Sequence, residues 1–207
     1  MTDYRLTQPA EAELDPIKKS RFIGRLVPVD TREAAATVVA QLRKAWPEAR
    51  HHAWAFRLQP NGADVRCSDD GEPTGTAGRP ALRCLEQSGL IDCVVVVTRF
   101  SGGIKLGAGG LTRAYGAAAR AAVDAAREAG LIQEIIPSTV LEIRCSYAHA
   151  PILQRLLEDA ELTIQSVFAA DVLLSVTCPN HRVQALLPCL RDAVGGRVAI
   201  ERLESPS

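Results

Sequence analysis

The sequence predicts an α/β protein of the α+β kind, built from two small domains. Three observations support this fold class. Helical and strand-like segments alternate along the chain, Pro137 and Ser138 interrupt them, and the order of elements starts again after that break. We therefore expect a first domain over residues 1–137 and a second over residues 138–207.

Composition and charge agree with a folded globular chain. Of the 207 residues, 47% are apolar and 23% are charged, which is close to the average for globular proteins. Lys plus Arg equals Asp plus Glu at 24 each, so no global charge selects nucleic acid or a membrane. No long apolar run and no signal-peptide pattern occur, and the six cysteines form no C-x-x-C pair. We expect a cytoplasmic protein with reduced, mostly buried cysteines and no membrane segment.

The first domain begins with a strand and a helix. Asp30 is expected to cap that helix, with Glu33 completing a capping box, and Asn61-Gly62 is expected to join two strands as a hairpin. The β-branched run in DCVVVVTRF is apolar on both faces, which predicts a central strand. The predicted order is a strand over 20–29, a helix to about residue 44, strands at 51–58 and 63–67, a short helix ending at Gly89, a strand over 92–100 and a long Ala-rich helix (111–130) ending at Gly130.

The second domain shows a strand, a helix, two strands, a helix and a last strand within about 70 residues. Asn180 is expected to cap its second helix and Gly195 to end it. This β-α-β-β-α-β order is typical of the ferredoxin-like arrangement.

The segment RFSGGIKLGAGGLTR, residues 99–113, is here called the glycine segment. It lies where a buried strand passes into a helix, and exposed amides at such a point hold phosphate or another anion. From Cys93 to Val123 the chain carries four basic residues and no acidic one. The candidate binding residues here are Arg99, Gly102, Gly103, Lys105, Gly107, Gly109, Gly110 and Arg113. The alternative is that the glycines serve only tight turns and close packing, because neither a P-loop nor a G-x-G-x-x-G pattern is present.

The stretch DDGEPTGTAGRP, residues 69–80, is here called the acidic loop. Its carboxylates (Asp69, Asp70, Glu72) are of the type that ligates magnesium, and they are also able to cap turns or to pair with the basic glycine segment. Pairing is favoured because the partner charge lies in the same domain. The hydroxyl of Thr76 suits local turn bonding. We expect no metal site and no cofactor.

The neighbouring His51 and His52 are predicted to lie on one strand and to point to opposite faces, so they are not expected to bind one metal together. His52 is included among the candidate binding residues. No Ser-His-Asp or Cys-His arrangement is evident, so no catalytic residue is assigned.

These residues resemble the IMPACT family, and its bacterial YigZ-type members in particular. The resemblance rests on HHAWAF, SDDGEPTGTAGRPAL and VVVVTRFSGGIKLGAGGLTRAYGAA, and it covers about residues 15–130. It implies a two-layer first domain like domain two of ribosomal protein S-five. It also implies a ferredoxin-like second domain similar to domain V of elongation factor G.

The resemblance implies a role near translation. Eukaryotic relatives act in translational control by competing for the activator of an amino-acid-sensing kinase, but they use an additional N-terminal domain that we do not expect here. Nucleic-acid or ribosome-linked binding is implied for bacterial members by fold analogy. The strand end reads TRFSGG where the family pattern is TRYFGG, so any stacking by that aromatic pair is expected to be weaker at Phe100 and Ser101.

Three hypotheses follow. In the first, Arg99, Lys105 and Arg113 bind RNA phosphates, the ribosome or an anionic protein partner. In the second, the chain is an enzyme acting on a phosphorylated small molecule or nucleotide, with magnesium on the acidic loop and phosphate on the glycine segment. In the third, the motifs serve folding alone within a protein-interaction module. The sequence does not give the oligomeric state.

Overall fold

A computed structural model describes residues 2–59 and 62–203. The chain divides into two compact units, Met1–Ile135 and Ile136–Ser207, near the boundary expected at residue 137. The elements of the first unit are β1 Tyr4–Leu6, β2 Ala10–Glu13, β3 Arg21–Pro28, α1 Arg32–Ala45, β4 His51–Leu58, β5 Asp64–Ser68, α2 Gly78–Ser88, β6 Leu90–Ile91, β7 Cys93–Phe100, α3 Ala108–Glu128 and β8 Ile132–Glu134.

The first unit is organised by a five-stranded antiparallel sheet in the order β2-β3-β7-β4-β5. The expectation that β7 is central is confirmed. Its alternate side chains enter two different cores: Val95 and Val97 pack with α2 and α3, and Val94 and Val96 pack under α1. Strands of antiparallel sheets often have one polar, solvent-facing side. This strand is apolar on both sides because helices cover both faces of the sheet. The α2–α3 layer on the sheet fits the two-layer expectation, and α1 adds a helix on the opposite face.

A second, three-stranded sheet in the order β6-β1-β8 was not expected from the sequence. Its strands contain only two or three residues each, so they show no period that a sequence pattern can reveal. Leu6 of β1 is nevertheless fully buried in the α2–α3 core.

Several predicted helix boundaries are wrong. Thr31, and not Asp30, caps α1, because its hydroxyl accepts the N–H of Ala34 at 3.2 Å. Helix α3 starts at Ala108, three residues earlier than expected, so two glycines of the glycine segment belong to its first turn. The predicted hairpin residue Asn61 lies outside the described residues, while its neighbour Gly62 has φ +62°.

The second unit contains β9 Ser138–Cys145, α4 Ala150–Asp159, β10 Ile164–Phe168, β11 Val172–Pro179, α5 Asn180–Ala193 and β12 Ala199–Leu203. Its antiparallel sheet has the order β10-β11-β9-β12, which is the ferredoxin-like topology and confirms that prediction. Leu141, Ile143 and Leu174 on one sheet face share a core with both helices. Asn180 is the first residue of α5 and does not cap it; its side-chain oxygen accepts the hydroxyl of Thr139 at 2.7 Å.

All six cysteines are free, and Cys84, Cys93, Cys145 and Cys178 are buried. Within residues 2–59 and 62–203, no helix is both long and apolar enough to cross a membrane.

Candidate functional site

Asp69 organises the acidic loop. Its carboxylate accepts the backbone N–H groups of Gly75 at 2.8 Å and of Ala77 and Gly78 at 2.9 Å each. Burial raises the pKa of Asp69, but the three N–H donors together hold it below its ordinary value. Asp69 therefore stays ionised and ties the loop to the start of α2, where the adjacent Ala77 has no side chain to do so.

Asp70 connects the acidic loop to two other elements. One carboxylate oxygen accepts the backbone N–H of His52 at 2.6 Å, and the other pairs with Arg43 of α1. The Asp70 carbonyl oxygen accepts Nδ1–H of His51 at 2.8 Å. The residue thus joins the loop to β4 and to α1, and not to the glycine segment.

Glu72 is the acid that does pair with the glycine segment. Its side chain is only 4% exposed, and one oxygen accepts Arg99 Nη1 at 2.7 Å and the Tyr115 hydroxyl at 2.8 Å. His51 Nε2 lies 4.0 Å from the same oxygen. Burial, and then the hydrogen bond to Glu72, raise the pKa of Tyr115 far above its ordinary value, so its hydroxyl remains a donor.

Arg99 is a buried structural cation. Besides Glu72 it contacts Ser20 Oγ at 3.4 Å, and its guanidinium carbon lies 5.6 Å from the centre of the Phe22 ring. Its side chain is 11% exposed. The sequence hypothesis placed Arg99, Lys105 and Arg113 on one exposed face. The structure excludes Arg99 from such a face, because its side chain is buried.

The acidic loop is internally satisfied. The Thr76 hydroxyl donates to the Pro73 carbonyl at 2.6 Å, and each of the three acids accepts at least two protein donors. In the described part of the chain, no cluster of three or more His, Cys, Asp or Glu side chains is arranged to hold a metal ion. A cation on this loop would have to displace an arginine or backbone N–H groups.

The two histidines lie on opposite faces of the sheet, as the strand pattern predicts. His51 shares its face with Arg99, and His52 shares its face with Thr98, whose hydroxyl is 2.9 Å from His52 Nδ1. The His52 ring is buried, and among the described atoms its Nε2 has no hydrogen-bond partner. Burial lowers the pKa of His52, so the ring is neutral at physiological pH.

The glycine segment begins with a close packing contact. The Gly102 N–H donates to Ser20 Oγ at 3.1 Å, and a Cβ on Gly102 would lie 2.1 Å from backbone atoms of Lys19. Gly103 and Gly107, with φ +78° and +74°, instead have open space where a Cβ would point. The first glycine is a packing requirement, and the other two turn an exposed backbone.

The surface on both sides of Gly107 in the sequence is cationic and exposed. Lys105, Arg113 and Arg120 are exposed, and the first turn of α3 contains no acidic residue and no side-chain cap. The first three N–H groups of this 21-residue helix (Ala108, Gly109, Gly110) have no partner within the helix by its geometry. We call Lys105, Arg113, Arg120 and these amides the basic edge. It combines positive charge with oriented donors, which is what an anion site needs.

The departure from the family pattern lies at the start of the glycine segment, at Phe100 and Ser101. Phe100 packs on the α1 face of the sheet, 6.1 Å from the Trp46 ring centre and 5.0 Å from the Arg21 guanidinium carbon. Ser101 is exposed. The Phe100 ring therefore already packs against side chains of the protein itself.

Sequence reasoning missed Tyr115, Ser20 and Arg43, which hold the acidic loop and Arg99 in place. Tyr115 carried a signal, because it is the one large aromatic residue in an Ala-rich helix. Ser20 and Arg43 are ordinary residues on a strand flank and a helix surface, and nothing in their sequence context marks them.

Comparisons with known proteins identify the family of the chain. The family model described as the Impact N-terminal domain matches residues 18–123. An IMPACT family member of Haemophilus influenzae is 35% identical over 99% of this chain and 98% of its own, and IMPACT family member YigZ of Escherichia coli is 37% identical over 92% and 93%. Protein IMPACT of the mouse is 33% identical over 49% of this chain but only 35% of its own.

A crystal structure of a hypothetical protein, 35% identical, superposes with a TM-score of 0.62 and covers 99% of this chain and 98% of that one. The two bacterial sequence matches and the structural match extend over both units, and the family model lies within the first. The chain belongs to the IMPACT family.

Proposed function

We propose that this protein is a cytoplasmic, translation-associated binding protein whose basic edge takes RNA phosphates. The observation that carries the proposal is a contrast in exposure. Lys105 and Arg113 are exposed beside a helix N-terminus that has no side-chain cap, while the three acids of the acidic loop are bound internally. Exposed cations and oriented amides favour anions, and acidic neighbours would have cancelled that preference.

Phosphate is favoured because directional amide donors add to the charge. Arg113 folds back along α3, and its Nη1 lies 3.6 Å from the point where a Cβ on Gly109 would be. Arg120 lies two turns further along and donates to Gln87 at 2.8 Å, so the cations follow one side of the helix. A row of this kind suits a phosphate backbone. An anionic protein surface, on or off the ribosome, is the alternative ligand.

The enzyme hypothesis has no specific observation in its favour. Magnesium on the acidic loop would require Asp70 to give up Arg43 and a backbone N–H, or Glu72 to give up Arg99 and Tyr115. Arg99 and Glu72 form a buried ion pair, and taking Glu72 away would leave the Arg99 charge uncompensated, which is strongly unfavourable. The contacts of the acidic loop fit a structural role, in which the loop holds Arg99 and Tyr115 in place, better than a magnesium site.

The test is the binding of a short fluorescent single-stranded RNA at graded salt, followed by anisotropy. Lys105→Ala/Arg113→Ala should weaken binding about tenfold or more and reduce the salt slope by about 1.4, because each phosphate contact on a single strand contributes about 0.7. Lys44→Ala/Arg50→Ala removes two exposed cations elsewhere in the unit and is the matched control.

Equal affinity of both double variants, or no RNA binding even at low salt, would contradict the RNA proposal. If the protein bound no free RNA but still co-sedimented with ribosomes, and Lys105→Ala/Arg113→Ala abolished that co-sedimentation, the ligand of the basic edge would be an anionic protein surface.

A further inference from the structure

A groove lies on the other face of the sheet, between α1 and β4. It has a volume of about 230 Å³, and its floor is formed by Trp54 and Phe56. Their rings are stacked, with centres 5.6 Å apart and planes inclined by 7°. The groove belongs entirely to the first unit and shares no residue with the basic edge.

Small side chains on α1 keep the groove open. Ala35, Ala36 and Ala40 line it, and the latter two are exposed to solvent. The volume is smaller than the roughly 300–1,000 Å³ usual for sites of whole small molecules. It matches a single inserted ring with stacking geometry, since an aromatic pair adds attraction beyond the area it buries.

The charged residues that line the groove are both arginines. Arg32 and Arg43 are 49% and 52% exposed, whereas their partners Asp64 and Asp70 are only 14% and 18% exposed and lie behind them. Arg66 is paired with Phe56 across β4 and β5, which places it on the same face. Asp64 accepts Nε and Nη2 of Arg32, and Asp70 pairs with Nη2 of Arg43, so a further acceptor has to meet the remaining N–H groups of these half-exposed guanidinium groups.

We propose that this groove binds an acidic peptide segment of a partner protein. One aromatic side chain of the segment stacks on Trp54 and Phe56, and carboxylates on either side of it meet Arg32 and Arg43. The two arginines are eleven positions apart on α1, or about 16 Å, which an extended peptide spans in about five residues. A guanidinium has five N–H donors, so an arginine that already holds one carboxylate is able to donate to a second one through its remaining N–H groups.

RNA fits this groove less well than a peptide does. Three arginines and two aspartates give the face a net charge of only +1, too small a field to hold a chain of phosphates. An acidic side chain needs only the local guanidinium donors. A buried aromatic anchor with a polar rim is also the usual anatomy of a protein–protein contact.

The experiment uses Trp54 fluorescence in the full chain. Trp46→Phe leaves Trp54 as the sole tryptophan, because the chain has two. The probe is the peptide acetyl-Glu-Gly-Phe-Gly-Gly-Glu-amide, compared with the same peptide carrying Lys for Glu or Ala for Phe. We expect a saturable change in Trp54 emission with the first peptide only.

Filling the groove separates this site from an unspecific effect. Ala36→Leu/Ala40→Leu should weaken peptide binding about tenfold or more, because the leucines occupy the ring's place. Thr37→Leu/Gln41→Leu places two leucines one position further along the helix, at residues that do not line the groove, and should leave peptide binding unchanged. Thermal unfolding of each variant verifies folding.

No saturable change up to millimolar peptide would overturn the proposal, as would equal binding by the two leucine variants. Binding of the lysine peptide as well as the glutamate peptide would remove the charge argument and with it the stated partner. Competition by a short RNA, with the peptide displaced, would assign the groove to nucleic acid instead.

Discussion

The acidic loop and the glycine segment look alike in sequence but use their charges in opposite ways. Both are glycine-rich, and both lead into a helix of the same unit, α2 in one case and α3 in the other. In the acidic loop every carboxylate accepts donors from within the protein. In the glycine segment one cation, Arg99, is used internally, and Lys105 and Arg113 remain exposed.

The difference shows that charge content does not separate a loop whose charges are paired inside the protein from a loop whose charges are exposed. What separates them is where the partner of each charge lies. Asp69 finds three N–H groups within nine residues of itself, so its loop closes on itself. Lys105 and Arg113 follow a strand end that is already paired through Arg99 and Ser20, and among the described residues neither side chain has an acidic partner within 4.0 Å.

Breaking the internal network should have the largest effect. Glu72→Ala leaves Arg99 buried without its carboxylate and removes the acceptor of the Tyr115 hydroxyl, so we expect a loss of about 4 kcal/mol in the free energy of unfolding. Urea unfolding measures it. Glu48→Ala, at an exposed acid, should change stability by less than about 0.5 kcal/mol. If Glu72→Ala lowered the free energy of unfolding as little as Glu48→Ala does, the contacts of Glu72 with Arg99 and Tyr115 would not hold the acidic loop.

The glycines sharpen the comparison within a single segment. Gly102→Ala should destabilise the protein by about 3 kcal/mol, because its Cβ would overlap the Lys19 backbone at 2.1 Å. Gly109→Ala should stabilise it by up to about 1 kcal/mol, because this residue is in the first turn of α3, and its added Cβ finds no heavy atom nearer than 3.6 Å. Differential scanning calorimetry of both variants reports the two signs. Equal losses would contradict the division between packing and surface glycines.

The smallest expected effect is a pH dependence of stability, which tests the burial of His52 at the start of β4. Burial keeps the pKa of His52 below the unfolded value of about 6.5, so below that pH the unfolded chain takes up the proton more readily. The free energy of unfolding should therefore fall as the pH is lowered from about 7 towards 5, and level off below the folded pKa. His52→Gln should flatten this slope relative to wild type, whereas His181→Gln, at an exposed site, should not. An unchanged slope in His52→Gln would show that another group causes it.

Much of the fold was predictable from local pattern. An apolar run on both faces predicted the central place of β7, and the apolar pattern of longer segments predicted the element order of the second unit. The short strands β1, β6 and β8 have no such repeat. The start of α3 was misplaced because Gly109 and Gly110 have low helix propensity, and tertiary packing of Leu111 and Ala114 outweighs it.

The candidate site was predictable only in its outline. The sequence indicated that the two motifs share one domain and that acids and bases pair, but it did not show which ones. The Glu72–Arg99 pair depends on the register that sets β7 beside β3 and β4, and the Asp70–Arg43 pair depends on how α1 lies on the sheet. Such contacts are set by residues far apart in the chain, so no local spacing reveals them.

The most direct test measures stability and RNA affinity together on two variants, Glu72→Gln and Lys105→Ala/Arg113→Ala, at a temperature where both are folded. We predict opposite results. Glu72→Gln should lower the Tm and keep the RNA affinity, whereas Lys105→Ala/Arg113→Ala should keep the Tm and lose about tenfold or more in affinity. If instead the Lys105→Ala/Arg113→Ala variant lost stability and kept its affinity, the basic edge would serve folding alone and the account would be wrong.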